Sequence, residues 1–350
     1  MGKDIIVVTS GFLQSGVHRV ESELVEEWEK QGHRVSFISY KGRVLSDASW
    51  TEEQKQAQQS KPKGSLIRRI KGLRRFLKAH KDATIVALSL PADCFAAILS
   101  LFIPNKVVIS ERNDPRQYPA EKWYRALRNF CFRLPDVCVF QTNEAKAYFS
   151  PKVQKKGVVI PNPINPELPD IVSGQRKKNV IALGRLKPQK NFHMLIRAFA
   201  LFSKDFPDYV LDIYGEGYQQ SELEALAAEC QVADKVFIHG FSTQVFPLLA
   251  EAGMFVSSSD YEGISNAMLE ALAIGTPTVC TDCPVGGARE MIQDGENGLL
   301  VPVGDAQALY RAMSRVAADE AFAARLSENG RKIRELYPVH VIAEKWIQVM

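Results

Sequence analysis

Two carboxylates eight positions apart, Glu262 and Glu270, mark the stretch of this 350-residue chain whose residue types best suit chemistry. The apolar run Gly253 to Ser257 reads as a strand that enters a short polar turn. Ser265 or Asn266 then opens a helix, since both types cap helix N-termini well. A second buried strand follows Gly275-Thr-Pro277. On this reading Glu262 lies in the loop before the helix and Glu270 about one turn inside it. The helix N-terminus puts unpaired N–H groups and a positive dipole end between the two acids, which suits a phosphate. One acid can accept from sugar hydroxyls and the other from a ribose, the outline of a nucleotide-sugar site. The spacing alone recurs by chance in many chains. Its weight comes from the strand, turn, helix, Gly-x-Pro, strand context.

Cations stand at matching places. Gly184-Arg-Leu-Lys-Pro-Gln-Lys190 follows the strand-like Val180 to Leu183, and Gly215-Glu-Gly217 follows Val210 to Tyr214. The C-terminal ends of strands in a doubly wound domain line one crevice. Arg185 and Lys190, together with a helix N-terminus, can neutralise a diphosphate without a metal. No Asp-x-Asp is present to hold Mg²⁺, so no metal and no resident cofactor is expected. Each cation taken singly also fits a solvated surface. In the first half, Glu111-Arg-Asn-Asp-Pro115 follows the strand Lys106 to Ser110, which makes Arg112 a candidate for phosphate or acceptor contact. Residues 66–80 form a basic amphipathic helix, with Leu66, Ile70, Leu73 and Leu77 on one stripe and Arg68, Lys71, Arg75 and Lys78 on another. Such a helix can hold an anionic group or lie on anionic headgroups. It can equally dock on its own sheet with a solvated cationic face.

The elements that must position these groups alternate strand and helix throughout. Asp4 to Ser10 is a continuous apolar strand, Val17 to Gln31 carries Val17, Val20, Leu24, Val25 and Trp28 at helical spacing, and Val35 to Ile38 is the next strand. The turn from Gly11 to Gly16 lacks Gly-x-Gly-x-x-Gly, so a dinucleotide fingerprint is unsupported. It either lets backbone approach a ligand or simply permits a tight connection. Residues 46–64 are polar and read as a loop. The proline-rich Pro161-Asn-Pro-Ile-Asn-Pro166 breaks the alternation, and the same pattern restarts after it. The expected domains are therefore 1–165 and 166–335, both doubly wound α/β, with a helix at 336–350 that packs back across the junction.

Composition bounds the partners. Residues 1–165 hold 27 basic against 16 acidic side chains, while 166–350 hold 17 against 24. The first half thus favours an anionic partner. No targeting segment is expected before the first strand, and the longest apolar run, Cys94 to Ile103, is too short to cross a bilayer. Six scattered cysteines read as reduced core thiols, and Cys280-Thr-Asp-Cys283 has no second pair to complete a metal site. Nucleic acid is not expected, because the basic stretch has no interleaved stacking aromatics.

With Gly184-Arg185, Lys190, Gly215-Glu-Gly217, His239-Gly240 and Glu262-Gly-x-x-Asn-x-x-x-Glu270 assembled, the chain resembles the family 4 glycosyltransferases over nearly its whole length. The resemblance implies a retaining enzyme of GT-B fold, two Rossmann-like doubly wound parallel-sheet domains facing a cleft. It implies that Arg185 and Lys190 grip the donor diphosphate and that Glu262 holds donor sugar hydroxyls near the reacting carbon. Gly263, Ile264 and Ser265 would offer backbone N–H groups to phosphate, Gly16 would be the first-domain glycine that approaches the phosphate, Glu270 would bind the ribose, and Asn266, Gly184, Gly215, Gly240 and Phe241 would contact the donor. Tyr261-Glu-Gly-Ile-Ser-Asn with Thr281-Asp-Cys-Pro-Val-Gly-Gly-Ala-Arg289 is similar to enzymes of capsule, exopolysaccharide and N-glycan precursor assembly. These use UDP-sugars and polyprenyl-pyrophosphate-linked acceptors at the inner face of the cytoplasmic membrane. The helix at 66–80 looks like the acceptor-gripping helix of a processive GalNAc transferase, which would make Arg68, Lys71, Arg75, Lys78 and Arg112 acceptor contacts. Many relatives have His where Ser110-Glu-Arg112 puts Arg. Alternatives are a GDP-sugar donor, a sugar-nucleotide epimerase of similar fold, and a non-catalytic sugar-nucleotide-binding subunit.

Overall fold

A computed structural model describes residues 2–9, 16–39, 43–46, 66–169 and 176–350. The expected turn from Gly11 as far as residue 15 and the polar stretch from 47 to 64 lie outside the described residues, as do the side chains of Arg68 and Lys71. The chain divides into two compact units, Met1–Pro163 with Val339–Met350, and Ile164–Pro338.

The first unit is built on a seven-stranded sheet of order β3-β2-β1-β4-β5-β6-β7. Its strands are β1 (Asp4–Thr9), β2 (Arg34–Ser39), β3 (Arg43–Ser46), β4 (Thr84–Ala87), β5 (Val107–Glu111), β6 (Val137–Phe140) and β7 (Gly157–Val159). Six run parallel; β3 pairs antiparallel with β2 at the edge, a departure from the all-parallel expectation. The parallel strands are short apolar runs buried on both faces, so helices must cover each side. On one face α2 (Leu66–Ala79), α3 (Ala92–Leu99), α4 (Lys122–Cys131) and the short α5 (Asn143–Ala147) and α6 (Pro151–Lys155) follow the strands. Leu73, Leu77, Ala96, Ala97 and Cys131 there share a core with Ile6, Val8, Ile85 and Ile109. Successive strand residues point to opposite faces, so Ile5 and Val7 look the other way, towards α1 (Gly16–Lys30).

The second unit has a six-stranded parallel sheet of order β10-β9-β8-β11-β12-β13. Its strands are β8 (Asn179–Leu183), β9 (Val210–Tyr214), β10 (Val236–His239), β11 (Met254–Ser257), β12 (Thr278–Thr281) and β13 (Leu299–Val301). The helices are α7 (Phe192–Asp205), α8 (Gln220–Glu229), α9 (Val245–Glu251), α10 (Asn266–Ile274), α11 (Ala306–Ala318), α12 (Glu320–Arg331) and α13 (Ile333–Leu336). The final helix, α14 (Val339–Val349), belongs to the first unit, where Ile342, Ala343 and Trp346 are buried and Trp346 meets Trp28 of α1 edge-on at 6.3 Å. The Trp28 indole N–H donates to the Ala343 carbonyl at 3.2 Å, and Lys3 Nζ donates to the Ile347 carbonyl at 2.7 Å.

Strand order decides where a ligand can enter. In the second unit the chain winds outward from β8 to β10, then returns to place β11 on the other side of β8. The crevice at that switch lies outside the C-terminal ends of β8 and β11.

Candidate functional site

At this switch point the loop after β8 and the loop after β11 are joined by five hydrogen bonds. Ser258 Oγ donates to the Lys190 carbonyl at 2.8 Å, and the Asp260 backbone N–H to the Gln189 carbonyl at 2.9 Å. Gln189 Nε2 donates to the Tyr261 carbonyl at 3.0 Å, and Asn191 Nδ2 to Asp260 Oδ1 at 2.6 Å. The fifth is the charged one: Lys190 Nζ donates to Glu262 Oε1 at 2.5 Å, with both side chains mostly buried. Ser259 Oγ donates to the same carboxylate oxygen at 3.1 Å. From below, Thr281 Oγ1 and Cys283 Sγ both donate to the Ser259 carbonyl, at 2.6 and 3.1 Å. Glu262 is thus held by Lys190 and by Ser259, itself braced from below, while Arg185 is exposed and makes no ion pair with any described residue.

Local sequence explains the loop shape. Asn191 takes the left-handed conformation (φ 43°, ψ 49°), which Asn tolerates better than most residues. It also caps α7, its side chain accepting from the Met194 N–H at 3.1 Å. A single side chain therefore closes the lysine loop, starts a helix and holds Asp260. Gly215 carries the next turn: a Cβ there would collide with the Gly184 carbonyl oxygen, because the loops after β8 and β9 pack backbone to backbone. Under the start of α10 the same holds for Gly287, whose missing side chain makes room for the Gly263 carbonyl. Ser265 is the N-cap residue of α10, without a side-chain cap bond, and Asn266 is its first residue. Gly263 and Ile264 are buried just before it, and Glu270 is buried on its fifth position.

Of the residues singled out from sequence, the structure therefore gathers Gly184, Lys190, Gly215, Glu262, Gly263, Ile264, Ser265 and Asn266 at neighbouring strand ends. Gly240 and Phe241 follow β10, which pairs with β9, and the Gly215 N–H donates to the His239 carbonyl at 3.2 Å. Sequence reasoning missed Gln189, Asn191, Asp260, Ser258 and Ser259. Their signal was faint, an Asn directly before an apolar helical run and an Asp in a serine-rich turn. Only strand order brings those two loops together. Cys280 and Cys283 are buried thiols, both pushed up by burial, Cys283 to about 12.

The first unit has its own polar cluster at the strand ends. Arg112 is half-buried, its Nη2 bonded to Asn162 Oδ1, which also accepts from Gln141 Nε2 at 2.7 Å. Desolvation pulls the Arg112 guanidinium down to about 10 against the pull of Asp93. The buried Asp93 accepts from the Ser110 N–H at 3.2 Å. Burial pushes that carboxyl well above its usual range, Glu111 and Glu21 push it further, and Arg112 opposes them. Glu21 of α1 is buried too; burial raises it to about 8, opposed by its hydrogen bond with Thr9. Ser110 Oγ and Arg112 Nη1 find no hydrogen-bond partner among the described residues. Glu21 sits within the apolar stripe of α1, four residues after Val17, so its burial was legible from position. Arg112 faces its own strand ends, whereas Gly16, Arg75 and Lys78 are exposed.

Comparison with known proteins fits this geometry. The family model described as Glycosyl transferases group 1 matches residues 166–333, and that of Glycosyltransferase Family 4 matches residues 14–168. The lipopolysaccharide core biosynthesis glycosyltransferase LpsE of Rhizobium meliloti is 37% identical over 153 residues, 44% of this chain and 43% of that protein. The N-acetylgalactosamine-N,N'-diacetylbacillosaminyl-diphospho-undecaprenol 4-alpha-N-acetylgalactosaminyltransferase of Campylobacter jejuni is 36% identical over 145 residues, 41% of this chain and 39% of that protein. The chain thus spans less than half the length of these curated relatives. Among solved structures, Anabaena HepE in complex with UDP and glucose superposes with a TM-score of 0.81 at 18% identity, covering 99% of this chain and 98% of that one. Sucrose-phosphate synthase from Thermosynechococcus elongatus does so with 0.81 at 20% identity over the same shares. These likenesses establish the GT-B fold.

Proposed function

The chain belongs to the glycosyltransferases, carrying a family 4 domain followed by a group 1 domain, and we propose that it moves a hexose or N-acetylhexosamine from a UDP-sugar to a polyprenyl-pyrophosphate-linked saccharide with retention of configuration. The observation that carries the reading is the Lys190–Glu262 pair, held by the two zipped loops beside the start of α10. Before a donor arrives each group compensates the other. A diphosphate entering the crevice would take Lys190 and Arg185 as counter-charges and free Glu262 for the sugar hydroxyls. Gly263 to Asn266 at the helix start would add N–H groups aimed at the phosphates, and Glu270 would take the ribose.

In the reaction the bond from the anomeric carbon to the diphosphate oxygen breaks while the acceptor oxygen bonds to that carbon on the same face. The departing phosphate oxygen takes the acceptor's proton, so no side-chain base is needed. Stabilising the charge that grows on the diphosphate supplies most of the rate. This chemistry needs no metal, since the cations and the helix start serve as the counter-charge. The lipid-linked acceptor draws support from the printed activity of the Campylobacter relative and from the basic first half of the chain. On this reading the enzyme works at the inner face of the cytoplasmic membrane; no helix among the described residues is long and apolar enough to cross one.

The test is UDP release from a panel of UDP- and GDP-sugars, with and without a polyprenyl-pyrophosphate-linked acceptor. Acceptor-stimulated UDP release is expected, and Glu262→Ala and Lys190→Ala should each lower it at least about 100-fold with the fold intact, about 2.7 kcal/mol of barrier. Conversion of the UDP-sugar without acceptor would point to an epimerase, and near-normal turnover in either variant would remove this site.

A further inference from the structure

Helix α4 carries its apolar stripe on the wrong side for a core helix. Trp123, Leu127 and Phe130 recur at the spacing of one helix face, yet they are 68%, 39% and 53% exposed. The reason lies beneath the helix, where Arg128 is completely buried. Its Nη1 donates to Glu111 Oε2 at 2.5 Å and to the Tyr118 carbonyl at 2.9 Å, and its Nη2 to the Pro115 carbonyl at 2.6 Å. The guanidinium also packs over the Phe149 ring at 5.1 Å. This knot sets the rotation of α4 and turns the stripe outward. The neighbouring α3, which packs against α4, ends the same way, with Ile98, Leu101 and Phe102 exposed, Phe102 at 78%. Six large apolar side chains, on α4, at the end of α3 and in the turn directly after α3, are more than scattered surface residues require.

We propose that the outward face of α3 and α4 is a lipid-docking surface that enters the headgroup boundary of an anionic bilayer. Between residues 98 and 134 the exposed charged side chains are Lys106, Arg116, Lys122 and Arg133 against Glu121 alone. Tryptophan and phenylalanine flanked by lysine and arginine suit the boundary between acyl chains and anionic headgroups. The basic α2 belongs to the same helix layer, and its exposed Arg74, Arg75 and Lys78 add to the attraction. A second copy of the chain fits the charge less well, because a two-fold contact would set these cations against their own counterparts. The surface deepens the membrane part of the reading above and rests on it only for the expectation that the acceptor resides in the bilayer.

The full chain would be sedimented with vesicles of phosphatidylethanolamine and phosphatidylglycerol, and with vesicles of phosphatidylcholine alone. Binding is expected to the anionic vesicles, weakened by salt, and Trp123 emission should shift to the blue on binding; Trp123→Phe should remove the shift and keep the binding. The pair Phe102→Ser with Trp123→Ser should weaken binding at least about tenfold, equivalent to about 1.4 kcal/mol. The pair Lys122→Glu with Arg133→Glu should abolish the preference for anionic vesicles. All variants should retain wild-type rates of UDP-sugar hydrolysis in solution. Equal vesicle binding by wild type and both pairs overturns the proposal. So does an absence of vesicle binding coupled to a dimer, or to a complex with an acidic protein, that the serine variants abolish. Vesicle binding by a chain inactive on every nucleotide sugar would sink the transfer reading and leave the docking surface standing.

Discussion

Lys190 and Glu262 illustrate what can be read from single residues. Their charges and strand-end positions were visible in the chain, but not that they touch across 72 residues. Asn191 and Asp260, which hold the two loops in register, escaped notice because neither type stands out in a turn. Glu21 was passed over as well, although an acid inside an apolar stripe is a signal of a buried carboxyl. Because burial raises its folded pKa from 4.5 to about 8, its contribution to stability is full below about pH 4.5 and is lost as pH rises through about 8. Melting temperature should therefore fall across that window, and Glu21→Gln should flatten the fall. Asp93 shifts in the same direction, so part of the slope should remain. Parallel slopes in wild type and variant would show that Glu21 is not the titrating group.

Elements were legible where their apolar period was strong. The stripes of α1 and α2 and the buried parallel strands follow from local spacing, because each must cover or join a sheet. Edge strand β3 was not anticipated, being only four residues long. The orientation of α4 was not legible in the sequence, since periodicity tells which residues share a face and not which face is buried. Its buried arginine decides that. The acceptor role that the resemblance implies for α2 is tested on the helix as a whole. Changing Arg68, Lys71 and Arg75 to Ala should raise the KM for a pyrophosphate-linked acceptor far more than the KM for UDP-sugar. Equal weakening of both would remove the acceptor role from this helix.

At the scale of the molecule, the last twelve residues belong to the first unit although the second unit precedes them in sequence. Trp346 closes that connection, fully buried against Trp28. Truncating a buried aromatic of this size costs about 3–5 kcal/mol, so Trp346→Ala should lower the denaturation midpoint of the first unit and leave that of the second unchanged. An unchanged first transition would mean that α14 contributes little to that unit. The amino-acid sequence by itself determined two α/β units, most of their strands and helices, the strand-end placement of the charged residues and the family they resemble. Those features depend on spacing and turn chemistry within a few residues of one another. Only the tertiary structure decided that Lys190 meets Glu262, that α4 turns its aromatic side outward and that the returning tail sets Trp346 against Trp28. Each of these depends on strand order or on a buried partner far away in the chain, which no local period encodes.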